Sequence, residues 1–162
     1  MRSKTSTWFE TKIRYEKMME DGMQKKVTEQ YVVDALSFTE AENAIIEEMS
    51  SYISGEMKIQ TISRASYGEV FFSSRDSDDK WYKIKLQFIT IDDKTEKEKH
   101  SYVYYLVQAH NIELARKYID EVMGTSMIDY EIKTITETST IDVFEHTFSN
   151  NHKKELTTDA KK

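Results

Sequence analysis

Apolar and polar positions alternate along much of the chain. Trp8-Phe9-Glu10-Thr11-Lys12-Ile13-Arg14-Tyr15 and Trp81-Tyr82-Lys83-Ile84-Lys85-Leu86-Gln87-Phe88 both run with period two and are rich in β-formers, the pattern of half-buried strands. Strands are expected over about 7–18 and 80–91, followed by a turn and a second strand over about 24–35 and 98–109. The turns are Glu20-Asp21-Gly22 and Asp92-Asp93-Lys94; Asp-Gly supplies the positive φ of a tight hairpin. The period then becomes helical. Phe38, Ala41, Ile45, Met49 and Tyr52 form one stripe, and Ile112, Ala115, Ile119 and Val122 another, as in amphipathic helices. Ser37 with Glu40 forms a capping box and Asn111 caps the second helix. Gly55 and Gly124 are the expected stops. A β segment closes each series, about 56–72 and 128–146. Its first copy carries a turn or bulge at Arg64-Ala65-Ser66-Tyr67-Gly68, which leaves open a bent strand or a hairpin.

The two series correspond residue by residue. Shifted by 73, Trp8 to Tyr15 lands on Trp81 to Phe88 with the Trp, the Lys and the strand aliphatics and aromatics in register. Tyr31-Val32-Val33-Asp34-Ala35 matches Tyr105-Leu106-Val107-Gln108-Ala109 at a shift of 74, as do Phe38, Ala41, Ile45 and Met49 against Ile112, Ala115, Ile119 and Met123. Ile59 to Ile62 and Glu69 to Phe71 return to a shift of 73. Self-similarity of this kind marks a repeat architecture. The expected fold is therefore α+β: tandem ββαβ(β) repeats with antiparallel sheets and one helix packed per repeat. Repeat 1 spans 1–73, a polar linker 74–79, repeat 2 80–148, and a disordered polar tail 149–162.

Alternation also sorts side chains to faces. Phe9, Ile13 and Tyr15, and Tyr82, Ile84, Leu86 and Phe88, are expected under the helices. The opposite face carries Trp8, Lys12 and Arg14 in the first repeat, and Trp81, Lys83, Lys85 and Gln87 with Tyr102 and Tyr104 in the second. An exposed aromatic cluster marks a contact surface. The contact is packing against the other repeat or a second subunit, a ligand held by base stacking and phosphate pairing, or a protein partner.

Composition narrows the choice. The chain has 162 residues, no Cys and no Pro, and 23 Lys+Arg against 29 Asp+Glu, a net charge of −6. Without Cys there is no disulfide framework, thiolate nucleophile or Cys-based metal site. The acidic balance disfavours general polyanion binding, but the tail is net +2 and the body −8, so a local basic face for a small phosphate ligand stays open. No window approaches the apolar length of a membrane span, and a cytoplasmic protein is expected. The four histidines, His100, His110, His146 and His152, lack metal-ligand spacing. No phosphate-binding glycine loop or nucleophile elbow occurs. Asp76-Ser77-Asp78-Asp79 lacks the Gly and distal Glu of a calcium loop and reads as solvated linker.

Lys25 to Glu42, Trp8-Phe9, Arg64-Ala65-Ser66-Tyr67 and Met127-Ile128-Asp129-Tyr130 together resemble an uncharacterised domain-of-unknown-function family of gut Bacteroidales, their phages and mobile elements. The resemblance spans about residues 1–146. It brings no activity, ligand or catalytic residue, and implies a phage or mobile-element setting. The order of four strands and a helix, obtained by regrouping across the repeats, is similar to that of Whirly and Pur nucleic-acid-binding modules, an analogy of topology alone.

The expectation is a non-catalytic protein, without cofactor or metal, that forms a homo-oligomer and binds a nucleotide or short single-stranded nucleic acid. Trp81, Tyr102 and Tyr104 would stack, with Trp8 as the counterpart of Trp81. Lys83, Lys85, Lys12 and Arg14 would meet phosphate. The alternative is a protein-interaction or host-factor inhibitor module using the same face; an enzyme is the third option.

Overall fold

The computed structural model describes residues 1–146. The tail from Ser149 and His152 lie outside the described residues. The described chain is mixed α and β, with two helices and nine strands in two mostly antiparallel sheets. It divides into two compact units.

One unit holds residues Thr7–Ala65 and the described residues from Thr140 on. Strands β2 (Trp8–Met18) and β3 (Gln24–Asp34) form a hairpin, closed by Gly22 at φ +83° and by the Asp21 carboxylate accepting from Met23 N–H at 3.0 Å. Helix α1 (Phe38–Met49) starts at Ser37, whose Oγ accepts from Glu40 N–H at 3.2 Å. The Glu40 carboxylate reaches back to Leu36 N–H at 2.9 Å, so one N–H left free at the helix start and the N–H just before the cap are both satisfied. Strand β4 (Met57–Arg64) pairs with β2, with a register shift between Lys12 and Ile13. Strand β9 (Thr140–Phe144) pairs in parallel with β3 and completes the order β4-β2-β3-β9. The core lies between α1 and one sheet face: Phe9, Ile13, Tyr31, Val33, Ala41, Ala44, Ile45 and Met49.

The other unit holds residues Met1–Ser6 and Ser66–Ser139. Hairpin β6 (Lys80–Ile91) and β7 (Glu98–Ala109) is its centre. Helix α2 (Ile112–Met123) starts at Asn111, whose Oδ1 accepts from Leu114 N–H at 2.8 Å, and ends at Gly124. Strand β8 (Asp129–Glu137) pairs with β6, shifting register between Lys85 and Leu86. Strand β5 (Tyr67–Phe72) pairs in parallel with β7, and β1 (Arg2–Lys4) pairs antiparallel with β5, giving β1-β5-β7-β6-β8. Tyr82, Ile84, Leu86, Val107, Ala115, Ile119 and Met123 form the core under α2.

The closing segments differ from both sequence expectations. Neither is one bent strand, and neither is a hairpin. The chain breaks at Ala65–Ser66, and β4 and β5 join different sheets; β8 and β9 separate in the same way. Period-two alternation assigns a strand its faces but not its neighbour, so the division left no mark in the sequence pattern.

Smaller corrections concern the linker and α1. Helix α1 stops at Met49, not Gly55, and Tyr52 falls beyond it, 76% exposed. Ala44 takes the place on the buried stripe, while Phe38 is largely exposed and offers its ring edge-on to Phe9, centroids 5.0 Å apart. The linker is not wholly solvated. Asp78 is buried and accepts from Ser73 Oγ and, at 2.6 Å, from the Tyr118 hydroxyl on α2. Burial alone would raise the Asp78 carboxyl, but these donors stabilise the carboxylate and leave its pKa lowered. No helix among the described residues is long and apolar enough to cross a membrane.

Candidate functional site

The eight residues expected on one contact face divide between the two sheets. Trp8, Lys12 and Arg14 belong to β2; Trp81, Lys83 and Lys85 belong to β6, and Tyr102 and Tyr104 to β7.

Neither tryptophan is a stacking platform. Trp8 is 1% and Trp81 2% exposed, which corrects the expectation of open rings. Both lie on the face opposite the helix core, as alternation required, but at its buried end. The edge of one ring meets the face of the other where Trp81 packs with Phe72 of β5, centroids 5.6 Å apart at 82°, and the Arg2 guanidinium covers Phe72 at 4.3 Å. The Trp81 carbonyl accepts from Thr138 N–H at 2.9 Å and from Thr138 Oγ1 at 2.8 Å; the Trp8 carbonyl accepts from Ala65 N–H at 2.8 Å. Both residues anchor their strands.

Further along β6 the same face opens, and lysines and tyrosines interleave. Lys83 Nζ lies 4.7 Å from the Tyr104 ring centroid and 5.9 Å from that of Tyr67. Lys85 Nζ lies 4.5 Å from Tyr102 and 5.9 Å from Tyr104. Register explains the ladder: Lys85 pairs with Tyr104, Gln87 with Tyr102, and Tyr104 in turn with Tyr67. Each ammonium lies against π-faces, an attraction of about 0.5–2 kcal/mol depending on solvation. Neither lysine forms an ion pair among the described residues. Tyr102 is 53% exposed, and Lys83, Lys85 and Tyr104 are partly exposed.

The ladder ends in a polar row. Gln87 Nε2 lies 2.6 Å from His100 Nδ1 and donates to the Tyr102 hydroxyl at 3.3 Å, while His100 Nε2 faces Glu98 at 3.4 Å. Sequence reasoning missed Tyr67 and His100. His100 lies cross-strand from Ile89, beside the Gln87–Tyr102 pair, and the hairpin register could have placed it there. Tyr67 reaches the ladder only because β5 joins β7, and no local signal announces that.

On the first sheet, Lys12 and Arg14 are exposed without aromatic neighbours on their strand partners. Arg14 lies between Thr28 and Lys58, and Lys12 between Gln30 and Thr61. Arg14, Lys26 and Lys58 line an open groove with Glu16 and Glu56.

The helix-side face of the first sheet holds a different polar group. The hydroxyls of Tyr15 and Tyr31 both donate to the Glu29 carboxylate, the second at 3.3 Å. Desolvation first, then the Glu29 hydrogen bond and charge, push the Tyr15 phenol up to about 12; Tyr31 is raised by burial and by the same carboxylate. A phenol raised in the folded state contributes stability that is fully present below the unfolded value near 10 and is lost as pH rises through the folded value. Alkaline unfolding between about pH 10 and pH 12 is thus expected to take part of its cooperativity from Tyr15. Tyr15→Phe should flatten the stability loss in that window, read by urea denaturation at stepped pH. An unchanged profile would show that Tyr15 does not carry it.

Among the described residues no group of three or more His, Asp or Glu side chains could hold a metal ion. In a comparison with known protein families, a domain of unknown function, DUF4494, matches residues 7–146. No curated protein and no solved structure matches.

Proposed function

We propose that this chain, which belongs to the DUF4494 family, a domain of unknown function, is a binding protein for a phosphate-bearing ligand, a nucleotide or short single-stranded nucleic acid. The β6–β7 ladder would hold it. The observation that carries the reading is the pair Lys83 and Lys85, two cations on one strand face with no carboxylate partner, each held over tyrosine rings. In a chain of net charge −6, ammonium groups without a carboxylate partner beside the exposed Tyr102 ring favour an anion that also carries a flat ring. Phosphate oxygens would meet the ammonium groups, and a base would stack on Tyr102, with exposed His100 offering a hydrogen bond to its edge and buried Gln87 holding His100 and Tyr102 in place. Trp81 and Trp8 act in this reading as buried supports, and Lys12 and Arg14 form a separate basic strip on the first sheet. The role is binding without turnover, in the cytoplasm and in a phage or mobile-element setting.

The tandem reading belongs to the same proposal. The bulges at Lys12/Ile13 and Lys85/Leu86 lie 73 residues apart. So do the N–H donors to the two tryptophan carbonyls, Ala65 and Thr138. The register shifts of the two parallel pairs fall at Tyr67/Glu69 and, for β9, at Thr140/Asp142, again 73 apart. These coincidences support two ββαβ repeats whose last strands are exchanged, so that each sheet is completed by the other repeat. Self-association into a homo-oligomer and kinship of topology with Whirly and Pur modules extend this reading.

The test is a Tyr102→Ala, Lys85→Ala double variant. Both side chains are at least partly exposed, so the fold should survive. Loss of one stacked base is worth roughly 1–3 kcal/mol, so affinity for a short oligothymidylate should fall on the order of tenfold to a hundredfold. A folded variant that binds like the wild type refutes the assignment. The rival reading, a protein-interaction or host-factor inhibitor module using the same face, predicts a protein partner whose binding weakens with both substitutions but barely responds to salt.

A further inference from the structure

A second feature lies on the helix-side face of the first sheet. A cleft of about 620 Å³ opens between the end of α1, strands β2 and β3, and β9. Its walls are aromatic. Tyr31 and Phe144 stack at 5.4 Å and 17°, Tyr15 lies beside them, and Tyr52, beyond the end of α1, stands 76% exposed at the rim. Three carboxylates, Glu16, Glu29 and Asp142, also line it, and Glu29 and Asp142 lie nearest the rings. Tyr15 and Tyr31 donate to Glu29. Asp142 accepts only from the adjacent Val143 N–H, at 2.8 Å. Desolvation raises the Asp142 carboxyl although the residue as a whole is exposed.

No cation of the described chain pairs with either carboxylate. Lys17, at the same cleft, forms no ion pair among the described residues. Carboxylates drawn partly out of water without a counter-charge are costly. The scaffold does not need Glu29. Counted in hairpin register from the tryptophans, Phe88 takes the place of Tyr15 in β6, and Val103 that of Glu29 in β7. The second sheet thus puts an apolar side chain in the place of Glu29, while Asp142 has a carboxylate counterpart in Glu69 of β5. Aromatic rings around unpaired carboxylates are the chemistry that recognises organic cations, through ring faces and charge together.

We propose that this cleft binds an organic ammonium or guanidinium group, with Tyr52 and Phe144 against the cation and Glu29 and Asp142 as its counter-charges. The phenol groups of Tyr15 and Tyr31 hold Glu29 in place for it. The same group can come from a free amine or from a basic side chain of a peptide, and the probes separate the two.

The experiment is NMR titration of the full chain with four probes. They are cadaverine, agmatine, Nα-acetyl-lysine methylamide and its Nε-acetylated, neutral counterpart. Shifts at residues around Tyr52 and Phe144 are expected with the cations and not with the neutral probe. Binding of cadaverine and agmatine supports the proposal with a free amine as source; binding of the capped lysine alone supports it with a peptide as source. Tyr52→Ala and Asp142→Asn, both at exposed positions, should each weaken binding about fivefold or more while leaving the fold intact. The proposal is overturned if no cation binds, if the neutral probe binds as well as the charged ones, or if both variants bind like the wild type.

Discussion

Trp81→Ala is expected to destabilise the protein by about 3–5 kcal/mol, the range for emptying a large aromatic from a core. The indole is 2% exposed and packs edge-to-face with Phe72, so truncation removes both its own burial and the anchor for β5. Phe72 would also lose the support that keeps it under Arg2. Because a domain is stable by only about 5–15 kcal/mol, the urea midpoint should fall steeply. Trp8→Ala, at 1% exposed, should behave alike. Tyr102→Ala, on the open part of the same face, should change stability by no more than about 0.5 kcal/mol, the usual surface effect. Equal midpoints for Trp81→Ala and wild type would mean that the ring is not an interior support, and the division of this face into a buried end and an open ladder would fail.

The second large effect concerns the strands β5 and β9. A fragment of residues 1–73 carries β2, β3, α1 and β4 but lacks β9, and it carries β5 without the β7 that β5 pairs with. Its first sheet would lose Val143, which is buried, the Phe144 ring stacked on Tyr31, and the His146 N–H that donates to buried Asp34 at 2.5 Å. Burial of each large apolar side chain is worth roughly 1.5–3 kcal/mol, and loss of one hydrogen bond to a buried charged group costs roughly 1.5–3 kcal/mol more. The edge of β3 would stand open, a template for aggregation. The fragment is therefore expected to be unfolded or aggregated by circular dichroism, and so is its complement, 74–162. A chain that joins residues 7–65 through a flexible linker to 140–146 should recover the cooperative transition that 1–73 lacks. Independent, cooperative folding of 1–73 would contradict the exchange.

Both results bear on how much the sequence alone reveals. Alternation located the two hairpins within a residue or two, and Ser37, Glu40 and Asn111 made the helix starts legible because a cap is a local signal. Alternation also placed Trp8, Trp81, Lys83 and Lys85 on the face away from the helices. It could not say where along that face burial stops. Period two repeats identically for a strand end under cover and one in solvent, and Trp81 and Lys85 are only four residues apart. The partners of β5 and β9 were hidden for a related reason. Parallel pairing across some 35 residues for β5 and over 100 for β9 depends on tertiary placement, not on any local pattern. Tyr67 came into the ladder by that route, and Phe144 into the cleft. β1, three residues at a sheet edge, is too short to show a period. Asp78 looked like solvent-facing linker because its partner Tyr118 lies 40 residues away on α2.

The proposed function rests on charge meeting charge at Lys83 and Lys85, and ionic strength tests that directly. The decisive measurement is fluorescence anisotropy of a labelled short oligothymidylate against the full chain, across a salt series, for the wild type and for Lys83→Ala, Lys85→Ala. Each phosphate contact on a single strand contributes a slope of about −0.7 in log affinity against log salt. Two contacts predict a slope near −1.4, an affinity loss of about sevenfold between 50 and 200 mM salt, and a double variant that binds more weakly with a slope near zero. Binding that ignores salt, a variant with the wild-type slope, or no binding at low salt would contradict the account.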